Sequence, residues 1–177
     1  AFPIVAGPAR VSAPAESLLV SSAPDTLRPA GQGQPGVLLE TLGFANPGTT
    51  GITADLRLLA LAVAGTDSAG LAPVALGDRL TRLRLVDEDG GLHAERLLGP
   101  GEAGPLTLNC SPLVAIAAGT PRRLRLVGDL ASEAPLGIFR LRVEPAGSME
   151  VHDAISGAPV PPAYAEPLLL GHPVRVE

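Results

Sequence analysis

The chain has 177 residues, 46% of them hydrophobic but only 2% aromatic, with no Trp, one Tyr (Tyr164) and three Phe. That length suits one domain, and the aromatic poverty nearly excludes the stacking platforms on which sugar-binding modules and single-strand nucleic-acid binders hold their ligands. A net charge of −5 argues against bulk attraction to nucleic acid or to an anionic membrane.

Taken in order, residues Ala1 to Pro14 carry prolines at 3, 8 and 14 and a glycine at 7, which predicts an extended arm and no helix. Phe2, Ile4 and Ala6 fall on one side of it, so the arm can lie along a sheet margin. The domain proper is expected over 15–177. An Ala-Phe-Pro start is also what signal-peptide removal at a small residue leaves, so an exported protein is expected.

A strand is expected at about Ser17 to Ser21, and two more at Val37 to Ala45 and Thr53 to Ala64, joined by the turn Asn46-Pro47-Gly48. The stretch from Asp55 to Ala64 also satisfies a helical period; strand is preferred because both flanks are strand-like. Its apolar run Leu58 to Gly65 is far short of the roughly 20 residues that span a bilayer.

Three stretches alternate arginine with an apolar residue: Thr81 to Val86, Arg122 to Val127 and Phe139 to Val143. A period of two places charges on one face of a pleated sheet and apolar groups on the other, which defines strands. Leu80 to Val86 and Leu92 to Leu98 bracket Asp87-Glu88-Asp89-Gly90-Gly91, whose Asp-Gly step suits a tight hairpin. Leu106 to Leu108 and Leu113 to Ala117 read as two short strands, Ile138 to Glu144 as another, and the tail beyond Met149 as two or three margin strands broken by its prolines. The fold class is therefore all-β, an antiparallel β-sandwich with an extended N-terminal arm.

Few constellations point to chemistry. Asp87, Glu88 and Asp89 form an oxygen-rich loop of the kind a hard cation favours, with Asp87 and Asp89 the candidate ligands, but the bidentate Glu of a calcium loop is missing and a hairpin turn fits better. His93, His152 and His172 are too scattered for a transition-metal site. Ser148, His152 and Asp153 have the residue types of a hydrolase triad, yet lie within six residues on what reads as a strand and lack the nucleophile elbow. Cys110, among leucines, reads as a core thiol. No cofactor and no catalytic residue is expected.

The arginines allow two readings. Arg82, Arg84, Arg123, Arg125, Arg140 and Arg142, if they share one sheet, form a face for an acidic surface or polysaccharide. Otherwise they are a solvated face interleaved with acids such as Asp87, Asp129 and Glu144.

The run from Val114 to Leu130, with its Gly119-Thr120 turn opening an alternating strand and Asp129-Leu130 closing it, followed by Gly137-Ile138-Phe139, resembles immunoglobulin-like modules of bacterial and archaeal surface proteins. The likeness takes in the middle two-thirds of the chain. It implies an extracellular adhesive or scaffolding role with no catalytic residues to carry over. Together with the arm, this leads to an expected function: a structural subunit of an extracellular filament, in which the arm of one copy, with Phe2, Ile4 and Val5 as pegs, adds to the sheet of another copy. The alternative is a ligand- or protein-binding module of a larger surface protein.

Overall fold

The computed structural model describes residues 12–23, 26–143 and 147–177. Among these, fourteen strands numbered in chain order form two sheets, with no α-helix and one 3-10 turn at Leu76–Asp78. The six-stranded sheet runs β12 (Pro162–Tyr164), β1 (Leu18–Ser22), β3 (Val37–Ala45), β9 (Arg122–Leu130), β6 (Leu80–Asp87), β7 (Leu92–Leu97). The second sheet is built on the long β4 (Leu56–Asp67), which pairs with β8 (Leu106–Ile116) and β5 (Pro73–Val74) on one side. Its other side holds β11 (Met149–Asp153) and β10 (Gly137–Val143), beyond which come β14 (Val174–Val176) and β2 (Arg28–Ala30), with β13 (Leu169–Leu170) also on β10. The chain is a β-sandwich.

The alternation explains the layers. Leu83 and Leu85 of β6, Leu124 and Leu126 of β9, and Phe139 and Leu141 of β10 are fully buried between the sheets, while the arginines between them point outward. Branched aliphatics and two phenylalanines, Phe44 and Phe139, supply the interior. The hairpin of β6 and β7 closes as expected: Gly90 takes φ 88°, and the Asp87 carboxylate accepts from the Gly91 and Asp89 amides at 2.6 and 3.1 Å.

Departures from strict alternation coincide with register shifts. In β3, Leu38 pairs with Val127 and Glu40 with Leu126, so Leu39 is an extra residue, and Leu39 and Glu40 are consecutively buried. In β4 the extra residue is Leu59, which moves the inward phase from Leu56 and Leu58 to Leu61 and Val63. That three-residue step produces the helical period in the sequence. β4 also begins later than expected and runs on to Asp67, because Thr53 is taken by a bridge to Ala13.

The two short strands expected at Leu106 and Leu113 are one strand. Val114 pairs with Leu58 and Asn109 with Ala60, so residues 110–113 bulge opposite Leu59, with Pro112, which has no amide to donate, inside the bulge. Nor is the sandwich wholly antiparallel. β12 runs parallel to β1 and β14 parallel to β2, since the chain reaches β12 and β2 by crossing between sheets and not through hairpins. The tail holds four strands, one more than the upper expectation, and β14 lies inside its sheet between β10 and β2.

Core and surface leucines should separate sharply in urea unfolding. Leu124→Ala, at a site with no exposed surface, should cost about 2–5 kcal/mol. Leu97→Ala, at 68% exposure, should stay within about 0.5 kcal/mol of the parent.

Candidate partner-binding face

The outer face of the six-stranded sheet divides into two halves of different chemistry. Over β7, β6 and β9 it is charged and internally paired. Arg84 meets Asp129 at 2.6 Å, and Arg82 lies 3.6 Å from Asp129 and 3.7 Å from Glu95. Arg125 donates to the Asp87 and Glu88 carbonyls at 3.0 and 2.6 Å. Arg123 has only a 3.8 Å approach to Glu88, both side chains being well exposed. Arg140 and Arg142 stand on β10 in the other sheet, so the six arginines do not form one face. Pairing of β10 with β4 and β14 puts them there, and strand-local alternation cannot report which sheet a strand joins.

Over β12, β1 and β3 the same face is apolar and hollow. Register places Ala163, Leu19 and Ala45 in one row across the strands, and Ser21, Gly43 and Arg123 in the next. Small side chains where other strands carry arginine leave a groove of about 560 Å³, floored by these residues and edged by Tyr164 and Arg123. Gly43 helps keep it open: a Cβ would sit 2.6 Å from the Ser21 hydroxyl on the neighbouring strand, which would have to turn aside. Sequence reasoning missed the groove. The available signal was Leu19, an apolar residue on the outward phase of β1, which is 45% exposed.

The opposite margin is sealed. Where β7 and β8 meet at a corner of the sandwich, Arg96 donates to the Thr107 carbonyl at 3.2 Å and Arg122 to the Ala115 carbonyl at 2.7 Å. Buried His93 places Nδ1 3.4 Å from the Pro112 carbonyl, and its Nε2 lies 3.2 Å from Arg122 and 3.5 Å from Asp87. A carbonyl can only accept, so Nδ1 carries a proton and, in the neutral ring, Nε2 accepts from Arg122. Arg96 also pairs with Glu102, and that hydrogen bond holds the Glu102 carboxyl below its usual range.

The remaining candidates are dispersed. The Asp87 carboxylate is occupied by its own turn, and the Gly91 amide keeps its pKa low, while Asp89 enters that turn through its backbone amide. Among the described residues no three His, Cys, Asp or Glu side chains converge as a metal site. Ser148 contacts the Tyr164 hydroxyl at 3.2 Å, His152 lies 3.4 Å from Glu150, and Asp153 accepts from the Ala15, Ile155 and Ser156 amides at 2.8–3.0 Å, so the three point to different partners. Burial pushes the Cys110 thiol up to about 11, which leaves it protonated and inert at neutral pH.

Phe2, Ile4 and Val5 lie outside the described residues. The base of the arm is described: Ala13 pairs with Thr53, exchanging bonds with Ile52 and Ala54 at 2.7 and 2.8 Å, and Ala15 is held by Asp153.

No family model matches the sequence, and no curated protein does. Among solved structures the chain is similar to the seventh ScaB type I cohesin from Pseudobacteroides cellulosolvens, with a TM-score of 0.45 and 11% identity over 92% of this chain and 93% of that one. It is also similar to a family 123 glycoside hydrolase from Clostridium perfringens, with a TM-score of 0.40 and 8% identity over 86% of this chain and 22% of that one.

Asp153 should make the base of the arm acid-labile. Its carboxyl is drawn down to about 2, chiefly by the Ala15 amide. A depressed folded-state pKa stabilises above the unfolded value and loses that contribution as pH falls toward about 2. Asp153→Asn should therefore cost about 1–3 kcal/mol at pH 7 and flatten the stability profile between about pH 4 and 2, read by urea midpoints across pH.

Proposed function

We propose that this chain is a non-enzymatic, polypeptide-binding β-sandwich of an extracellular or cell-surface assembly, and that it joins other copies of itself through its N-terminal stretch 1–14. The observation that carries the reading is the divided outer face. A solvated sheet has no need of an apolar hollow, and apolar surface set beside a paired polar rim is how protein interfaces are composed. Charge on the other half is spent laterally, in the Arg82–Asp129–Arg84 cluster and the Arg125 hydrogen bonds, so that half is a poor seat for an acidic polysaccharide. The immunoglobulin-like run of strands agrees with a surface role.

A second reading has its own support. Ala13 and Ala15 are bound to the chain's own body, which suits a module whose arm stays at home and whose groove receives a different protein. Light scattering after size exclusion, with negative-stain microscopy, separates the two. The full chain should self-associate as concentration rises, and a chain lacking residues 1–11 should stay monomeric. A full chain that is monomeric throughout removes the homopolymer and leaves the heterologous module.

A further inference from the structure

The geometry points to the groove over β12, β1 and β3 as the acceptor site for the N-terminal segment of a second copy, with Phe2, Ile4 and Val5 seated in it beside the β12 margin. This rests on the self-association proposed above and names the surface that receives the arm.

The other described margins offer little. At the β7–β8 corner the Thr107, Pro112 and Ala115 carbonyls of β8 already face Arg96, His93 and Arg122. β2 is three residues long with Pro29 at its centre, and β5 is two. β11 is covered on its outer side by the returning chain, since the Val160 amide donates to Val151 and the Asp153 amide to Ala158. β12 differs. Pro161 accepts from Leu18 and Ala165 donates to Val20, so by the period of two Tyr164 turns its amide and carbonyl away from β1, at the outermost strand of the sheet.

Three features match this place to residues 1–11. The segment reads Ala-Phe-Pro-Ile-Val-Ala at its head and carries no acidic residue, which suits an apolar floor. A groove of about 560 Å³ falls within the roughly 300–1,000 Å³ of clefts that enclose small ligands. Prolines 3 and 8 take two amides from the segment and leave every carbonyl, and Arg123, exposed and loosely paired with Glu88, stands at the groove edge as a donor for them. The occupant is the segment of a second copy, and not of the same chain, because the inference rests on self-association; Ser12 shares a hollow with Ala54, Asp55 and Ala154 at the strand ends of the other sheet, and the disulfide test separates the two.

Engineered cysteines test this, the native thiol being buried. An Ile4→Cys chain is mixed with an Ala163→Cys chain of different tag mass and oxidised. A disulfide between the two chains should form about tenfold faster than with a Ser111→Cys control at the sealed corner, because docking raises the effective concentration of the pair. Ala45→Arg, on the outward face, should abolish self-association while leaving the unfolding midpoint unchanged. Equal rates for groove and control, or closure only within single chains of the Ile4→Cys/Ala163→Cys double variant, overturns the assignment. If assemblies persist despite that result, the groove is wrong and self-association stands; if the parent never assembles, both fall together.

Discussion

An interior made almost wholly of branched aliphatics constrains everything else in this molecule. Leu, Val, Ile and Ala bring no hydrogen-bonding handle and little bulk per residue, so the two sheets meet closely only if every strand presents its apolar side chains in phase. Where the phase would fail, the backbone gives way. Leu39 in β3 and Leu59 in β4 are extra residues that restore inward leucines on either side of a bulge, and residues 110–113 bulge away from β4 opposite Leu59. Glu40 is carried inward by the first of these, and its Oε1 accepts from the Ser22 hydroxyl at 3.0 Å and the Thr41 amide at 2.7 Å.

The same constraint decides what was legible beforehand. Alternation is a local property, and it located β3 to the residue, the β6–β7 hairpin and the arginine strands. Register is not local. Whether Leu59 is extra depends on β8 and β11, some fifty and ninety residues away, and the sheet that Arg140 joins depends on β4 and β14. The groove is further still from inspection, since Leu19, Ala45 and Ala163 come from three distant parts of the chain and none is unusual alone. The candidates that were visible, arginines and clustered acids, are the residues that solvent-facing strands and turns employ anyway.

Arginine does two jobs here that lysine would do less well. On the sheet face one carboxylate, Asp129, serves Arg82 and Arg84 and also accepts from the Gly36 amide at 2.8 Å, which ties the loop before β3 to β9. At the corner, Arg122 divides its guanidinium between the Ala115 carbonyl and His93, and Arg96 between the Thr107 carbonyl and Glu102. A planar fork of donors can satisfy a strand's outward carbonyls and a side chain together, where an ammonium presents a single point of charge. The result is a sandwich whose exposed β8 margin is closed by side chains and not by another strand.

Anchoring the base of the arm bears on how strongly it can act. Ordering a residue costs about 1–2 kcal/mol of backbone entropy, so fixing all of 1–14 on a partner would overwhelm three apolar pegs. Ala13 and Ala15 are held on their own body, so the proposed docking would have to fix the peg-bearing residues 2–5, at about 4–8 kcal/mol. Burying Phe2, Ile4 and Val5 returns roughly 5–9 kcal/mol at about 1.5–3 each, and Pro3 lowers the cost because its φ is set beforehand. On the proposed docking the two sides nearly cancel before the cost of bringing two molecules together is counted, so a single junction would be weak and reversible, and assembly would follow protein concentration.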